Sequence, residues 1–205
     1  MPDLHQALAD ISAIRGQMAR GTLFRGYGPA ALATTGLLAV LAALAQAAWL
    51  PDAVSEIGSY LALWIATALL SVAIVAIEAV RRSRQAHGGL ADDMIQAAAE
   101  QFLPSAIAGV LLTWVICRYA PHSIWMLPGL WQIVYSLGIF ASCRLLPRAT
   151  FWVAVFYLGT GLAVLTAGDG QSALSPWAMG VPFGVGQLLA AAVLYRTLER
   201  DHGAQ

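Results

Sequence analysis

Few side chains in this sequence are of a type and at a spacing that could bind a ligand or take part in a reaction. Those that are lie within or beside long apolar stretches. The candidates are Gln132, Gln187, Glu78, Arg118 and His122. Amides inside apolar stretches could line a path for a small polar solute, or they could bond one helix to another. An arginine four residues before a histidine could hold an anionic group or respond to pH.

The stretches that hold these residues are long and almost free of charge. They run through residues 29–50, 58–80, 102–120, 124–143, 150–167 and 174–195. Each is close to the roughly 20 apolar residues that cross a bilayer as a helix. Charged residues make up 11% of the chain, against about 25% in soluble domains. The sequence therefore predicts an all-α, multi-pass integral membrane protein with six transmembrane helices.

The polar segments divide these stretches into three transmembrane hairpins, at 29–80, 102–144 and 145–196, followed by a polar tail at 197–205. Two further segments, 1–28 and 81–101, carry apolar residues at helical spacing, among them Leu4, Leu8, Leu90 and Met94. We expect both to form amphipathic helices on the cytoplasmic surface, the second after an Arg-rich loop. The fourth and fifth stretches are short, which leaves a re-entrant pair as the alternative to full crossing.

Arginine placement predicts the orientation, because every one of the 11 basic residues is an arginine. With the N-terminus in the cytoplasm, all of them except Arg118 lie on the cytoplasmic side, as the positive-inside rule requires. Both termini are then cytoplasmic. The absence of lysine and the abundance of Ala, Gly and Leu are typical of a GC-rich bacterium, so we expect a bacterial inner membrane.

Aromatic residues near the ends of the stretches agree with this orientation, because amphipathic rings favour the headgroup level. We expect an outer belt formed by Trp49, Tyr60, Tyr119, Trp125 and Trp177. The inner belt is expected to contain Tyr27, Trp152 and Tyr195. Deeper aromatics are expected to pack between helices: Trp64, Trp114, Trp131, Tyr135 and Tyr157.

Gln132 and Gln187 each follow a proline by about one helical turn. A proline inside a helix frees a backbone carbonyl, which a side-chain amide can satisfy. We therefore favour interhelical hydrogen bonds, worth about 1 kcal/mol each, over a solute path. No carboxylate accompanies the two amides, as a proton or ion pathway would require.

Glu78 and Arg118 lie at the ends of their stretches. Glu78 stands one turn before Arg81, which predicts an ion pair at the membrane interface and not a proton relay at the midplane. Arg118 ends the third stretch, where its guanidinium can reach the headgroups and meet the favourable end of the helix dipole. An anion site or pH sensor formed with His122 is the alternative.

Gly180 and Gly184 form a small-xxx-small pattern in the sixth stretch, and Gly159 and Gly161 lie in the fifth. Small residues let helix backbones approach closely. We expect tight packing between the fifth and sixth helices or across a homo-oligomer.

Several classes of function have no supporting residues. No dense basic stripe indicates nucleic-acid binding, and no motif or carboxylate pair indicates hydrolysis or redox chemistry. Neither metal ligands at suitable spacing nor facing intramembrane histidines for haem occur, so we expect no cofactor. Cys117 lies at the outer end of the third stretch and Cys143 at the inner end of the fourth. About a bilayer thickness therefore separates them, which is too far for a disulfide, and both are expected to be free.

These patterns predict a non-catalytic membrane protein whose partners are the lipid bilayer and a cytoplasmic protein. It would serve as a regulatory, accessory or scaffold subunit, because its patterned polar sequence lies in residues 1–28 and 81–101. The alternative is a small-solute permease or channel that uses the Pro- and Gln-containing fourth and sixth helices. An intramembrane enzyme is a third, less favoured class.

The orientation can be tested with a membrane-impermeant thiol reagent on variants that lack Cys117 and Cys143. We expect a cysteine introduced at Ser55 or Ser172 to react from outside and one at Ser83 to react only after the membrane is opened. The opposite labelling pattern would reverse the topology.

Overall fold

The computed structural model describes residues 28–85, 89–143, 146–167 and 170–202 of the chain. In these ranges every regular element is a helix. The six long helices are α1 (Pro29–Trp49), α2 (Ile57–Gln85), α3 (Gly89–Tyr119), α4 (Leu127–Ser142), α5 (Thr150–Ala167) and α6 (Pro176–His202). A 3-10 helix, Pro121–Met126, precedes α4, and a single helical turn, Gly170–Ala173, lies between α5 and α6.

Each long helix contains a segment long and apolar enough to cross a membrane, which confirms the six predicted spans. The shortest span is α5 with 18 residues, and the fourth reaches 22 residues by including the 3-10 helix. At about 1.5 Å per residue, 18 residues give a helix of about 27 Å, close to the bilayer core. Both α4, together with the 3-10 helix, and α5 are therefore long enough for the full crossing that was preferred to a re-entrant pair.

The two separate surface helices are not supported. Residues 1–27, where the first was predicted, lie outside the described residues. The second was predicted to end at Gln101, but α3 begins at Gly89 and continues through Pro104 to Tyr119 without interruption. A proline removes one backbone hydrogen bond, and here the helix continues past it. The proposed boundary at residue 102 therefore falls inside one helix.

The first and last long helices make the most extensive contact in the bundle, α1 against α6. The α4–α5 contact is next, followed by α3 against α4 and α2 against α1, while α5 and α4 both touch α6. The order around the bundle is therefore α2, α1, α6, α5, α4, α3. Contact between α2 and α3 is slight, and their spans bury the smallest share of residues.

Glycines allow the close α1–α6 contact. A β-carbon on Gly180 would collide with that of Ala43, and one on Gly184 would lie 2.7 Å from Val40 Cγ2. The prediction that this pattern joins α6 to α5 is thus wrong for both glycines, although Gly186 does pack against Tyr157 of α5. A small-residue pattern indicates that another backbone comes close without specifying which helix supplies it.

The aromatic residues follow the predicted belts with exceptions. Five are exposed as expected: Trp49, Tyr119, Trp152, Trp177 and Tyr195. Tyr60 is instead fully buried, in a core cluster with Trp64, Leu174 and Met179 that also packs against Trp125. Trp114, which was predicted to pack inside, is exposed. Position along a helix indicates membrane depth, but the face on which the residue lies decides burial.

The α1–α6 contact can be tested by adding one methyl group. We expect Gly180→Ala to lower the free energy of unfolding in detergent by roughly 1–3 kcal/mol, because the new β-carbon has no room beside Ala43. Gly159→Ala is the matched control, since a β-carbon there meets nothing within 4 Å. Equal stability of the two variants would contradict the packing described.

Candidate functional site

Three buried glutamines connect the helices of the bundle. Gln46 of α1, Gln132 of α4 and Gln187 of α6 are all buried. Inside a bilayer no water is present to satisfy an amide, so each must find a partner in the protein. The positions of these partners decide whether the amides act on a solute or on the fold.

Gln132 supplies a hydrogen bond that α6 cannot make for itself. Pro182 has no backbone N–H, so the carbonyl of Ala178, four residues earlier, loses its usual donor. The Gln132 side chain donates from Nε2 to this carbonyl oxygen at 2.9 Å. The interhelical hydrogen bond favoured for this amide is present, but its acceptor is freed by Pro182 of α6 and not by the proline that precedes Gln132 in its own stretch. Pro128 has no such effect, because it lies in the first turn of α4, where helix N–H groups are unpaired anyway.

Gln187 makes the return contact from α6 to α4. Its Nε2 donates to the hydroxyl oxygen of Tyr135 at 2.7 Å. The Tyr135 ring, predicted to pack between helices, lies 4.9–5.5 Å from the rings of Phe102, Tyr157 and Phe183, measured between centroids. The two predicted amides therefore both join α4 to α6, beside an aromatic cluster to which α3 and α5 contribute.

Gln46 was missed by sequence reasoning. Its Nε2 donates to the carbonyl oxygen of Leu174 at 2.8 Å, and its Oε1 accepts a hydrogen bond of 2.8 Å from Trp64 Nε1. One side chain thus ties α1 to α2 and to the segment before α6. The signal was present, since Gln46 is the single amide of the first apolar stretch, but a position near the end of a span usually allows access to water.

Some polar atoms in the interior have no hydrogen-bond partner among the described residues. They are Oε1 of Gln132 and the hydroxyls of Tyr60 and Tyr157 inside the bundle, together with Oε1 of Gln101 on α3. Buried polar groups in native proteins are usually paired, often with an ordered water. These atoms are therefore the positions in the bundle where a water or a polar solute would be stabilised.

Glu78 lies where the sequence placed it, near the end of the second span. It is half-buried on α2 and lines a cleft with Arg81, which is exposed. The structure thus brings the acid and the base of the predicted interfacial pair to one cleft.

Arg118 and His122 are both exposed, at the end of α3 and in the 3-10 helix. The Arg118 guanidinium lies over the ring of Tyr119, with its carbon 5.5 Å from the ring centroid. Trp114 packs edge-on against the same ring. A cation over an aromatic face at an exposed site contributes about 0.5–1 kcal/mol. This contact is a structural role for Arg118 that the sequence did not specify.

Among the described residues, no group of three or more His, Cys, Asp or Glu side chains could hold a metal ion. Cys117 and Cys143 are free thiols, as predicted. The buried polar side chains of this part of the chain are all neutral. The arrangement therefore joins helices by neutral hydrogen bonds.

The fold and these contacts define a multi-pass helical membrane protein with amide-linked spans. No family model, curated protein or solved structure matches the chain.

The Gln132 contact can be tested with a double-mutant cycle. We expect Gln132→Leu alone to lower the free energy of unfolding by about 1–2 kcal/mol, because it leaves the Ala178 carbonyl without a donor. Pro182→Ala restores the backbone N–H of α6, so Gln132→Leu should cost clearly less in that background. The free energy of unfolding in detergent is measured for all four proteins of the cycle.

Gln187→Leu serves as the control in the same cycle, because its hydrogen bond goes to Tyr135 and does not depend on the Ala178 carbonyl. Its effect should be the same with Pro or Ala at position 182. Additive effects of Gln132→Leu and Pro182→Ala would refute the proposed pairing.

Proposed function

We propose that this chain is a non-catalytic membrane subunit, of the accessory or scaffold type, that binds a cytoplasmic partner through the α2–α3 connection. The observation that supports this most is the length of α3. With 31 residues, α3 is about 46 Å long, whereas about 20 residues cross a bilayer. Asp92 and Asp93 place the remaining helix, about 16 Å, at its N-terminal end.

The charge of this connection suits recognition of a protein. Arg81, Arg82 and Arg84 end α2, and Asp92, Asp93 and Glu100 follow on α3. A basic and an acidic segment joined by a short link can pair with charges of both signs on a partner and so give specificity. With the arginine-based orientation, both segments face the cytoplasm.

The placement of α2 and α3 in the bundle also favours this function. Only 11% of the α2 span and 6% of the α3 span are buried, compared with 44% of the α6 span. Both helices therefore offer long apolar faces within the membrane beside the charged connection. A partner with its own membrane helix can use both surfaces at once.

The polar interior supports a non-catalytic function. The amides of Gln46, Gln132 and Gln187 each form a hydrogen bond with a neighbouring helix. Groups that are already engaged in holding helices together are poorly placed to bind and release a solute. The interior thus provides a scaffold, and the surfaces are left for interaction.

Site-specific photo-crosslinking in native membranes tests the proposal. A photoreactive residue placed in turn at each of positions 90–99 scans every face of the extension. We expect a discrete protein adduct at positions one helical turn apart, and we expect it to disappear when Asp92 and Asp93 are both changed to Arg. Leu162, exposed on α5, is the control position and should give lipid adducts only. Lipid adducts alone at all ten positions would contradict the proposal.

A small-solute permease is the second candidate, and one observation favours it. Oε1 of Gln132 and the hydroxyl of Tyr157 are buried without a partner among the described residues, which leaves two polar atoms for a passing solute. Flux into liposomes that contain the purified chain separates the two functions. A specific flux that Gln132→Leu and Gln187→Leu abolish, while Gly159→Ala leaves it intact, would favour the permease.

A further inference from the structure

A cleft lies between the beginning of α1 and the last turns of the α2 span. It is open to the surface and has a volume of about 290 Å³. Its lining includes Ala30 and Thr34 of α1 and Ile74, Ile77, Glu78 and Arg81 of α2. This combination of one acid, one base and apolar side chains is independent of the amides that hold the bundle together.

The cleft is lined by one acidic and one basic side chain, both from α2. Glu78 and Arg81 are three residues apart on α2, so they lie on one face of the helix. The Thr34 hydroxyl donates to the Ala30 carbonyl at 2.8 Å, which leaves its oxygen able to accept a hydrogen bond. The cleft is therefore complementary to a ligand that carries a cation with N–H donors and, a few bonds away, an anion.

The location of the cleft restricts where such a ligand comes from. Pro29 begins α1, and Arg81 directly follows the apolar stretch that ends at Val80, so the charged end of the cleft lies at the membrane boundary. Ile77 and Ile74 are about one and two turns further into the span. A ligand held here has its charged groups among lipid headgroups and its remainder against apolar side chains.

We propose that this cleft binds the headgroup of a phosphatidylethanolamine-type lipid. Arg81 holds the phosphate, as guanidinium groups do well, and Glu78 and Thr34 accept hydrogen bonds from the ammonium. Ile74 and Ile77 lie along the acyl chains. The volume is near the lower end of the roughly 300–1,000 Å³ typical of small-molecule sites, which suits a headgroup.

The chemistry of the common phospholipids makes the proposal specific. Phosphatidylcholine has the same charges, but its quaternary ammonium has no N–H to donate to Glu78 or Thr34. Phosphatidylglycerol has the phosphate and no cation. Selectivity among these three lipids therefore reports on Glu78 and Arg81 separately.

The test uses the full chain purified from vesicles that contain equal amounts of the three lipids, with retained lipid quantified by native mass spectrometry. We expect retention of phosphatidylethanolamine about fivefold above phosphatidylcholine, the size of one partly exposed charged hydrogen bond. We also expect phosphatidylethanolamine to be retained above phosphatidylglycerol, and Glu78→Gln should remove this preference. Arg81→Gln should lower the retention of phosphatidylethanolamine and of phosphatidylglycerol, because both carry the phosphate, and Arg81→Lys should restore most of that retention.

Two further variants keep the outcome independent of any effect on folding. Ala30→Leu fills the cleft without changing its charges, and it should reduce retention of all three lipids. Arg148→Gln, at an exposed arginine outside the cleft, should change nothing. Equal retention of phosphatidylethanolamine and phosphatidylcholine by the unmodified chain, or unaltered retention by Ala30→Leu, would overturn the proposal. Displacement of the lipid by an equal concentration of soluble phosphoethanolamine would also overturn it, because the site would then be one for a solute.

Discussion

The carbonyl oxygen of Ala178 constrains how two halves of the bundle meet. Pro182 removes its helical donor, and an unpaired carbonyl in an apolar interior costs about 1–3 kcal/mol. Gln132 meets that requirement from α4 at 2.9 Å. Because the amide is short and directional, it sets the rotation and depth of α4 against α6, and the nearby Gln187–Tyr135 bond completes a two-point attachment.

Small residues pack beside the two amides that form this attachment, on the helices that flank α4 and α6. A β-carbon on Gly161 of α5 would lie 3.1 Å from the Gln132 β-carbon, and one on Gly36 of α1 would lie 3.0 Å from that of Gln187. Each glutamine therefore hydrogen-bonds across the α4–α6 contact while its stem packs closely against a glycine of a third helix. Close packing and hydrogen bonding act together in this bundle, as expected where lipid provides no hydrophobic force to press helices together.

The six spans were predictable because each can be recognised from its own sequence, by its apolar length and its lack of charge, whatever helices it packs against. An interhelical hydrogen bond from Gln132 was predictable because an amide inside the membrane must find a partner in the protein. Its acceptor was not, because the Ala178 carbonyl and the proline that frees it belong to another helix. The helix that packs against Gly180 and Gly184 was not predictable either. A small residue indicates that another backbone comes close, but it does not specify which helix supplies it. Tyr60 was predicted at the membrane surface and is buried, and Gln46 was missed. Depth in the membrane can be inferred from position along a span, whereas burial depends on which face of the helix contacts another helix.

The predicted surface helix at residues 90–101 merged with the third span because a change from polar to apolar residues does not end a helix. Pro104 does not end it either, although a proline after a polar segment often marks a boundary. The polar segment and the third span are therefore parts of one continuous helix.

The pairing of α1 with α6 has a consequence for the order of assembly. Of the six helices, α1 is synthesised before α6, and Gln46 of α1 finds its backbone acceptor at Leu174, just before α6. Until α6 is made, α1 lies in the bilayer with its Gly36 face unpacked and with Gln46 Nε2 lacking that acceptor, although Trp64 of α2 already pairs with Gln46 Oε1. Contacts between distant parts of a chain form late and slowly. The most extensive contact of the bundle therefore forms after the contacts between helices that are adjacent in sequence.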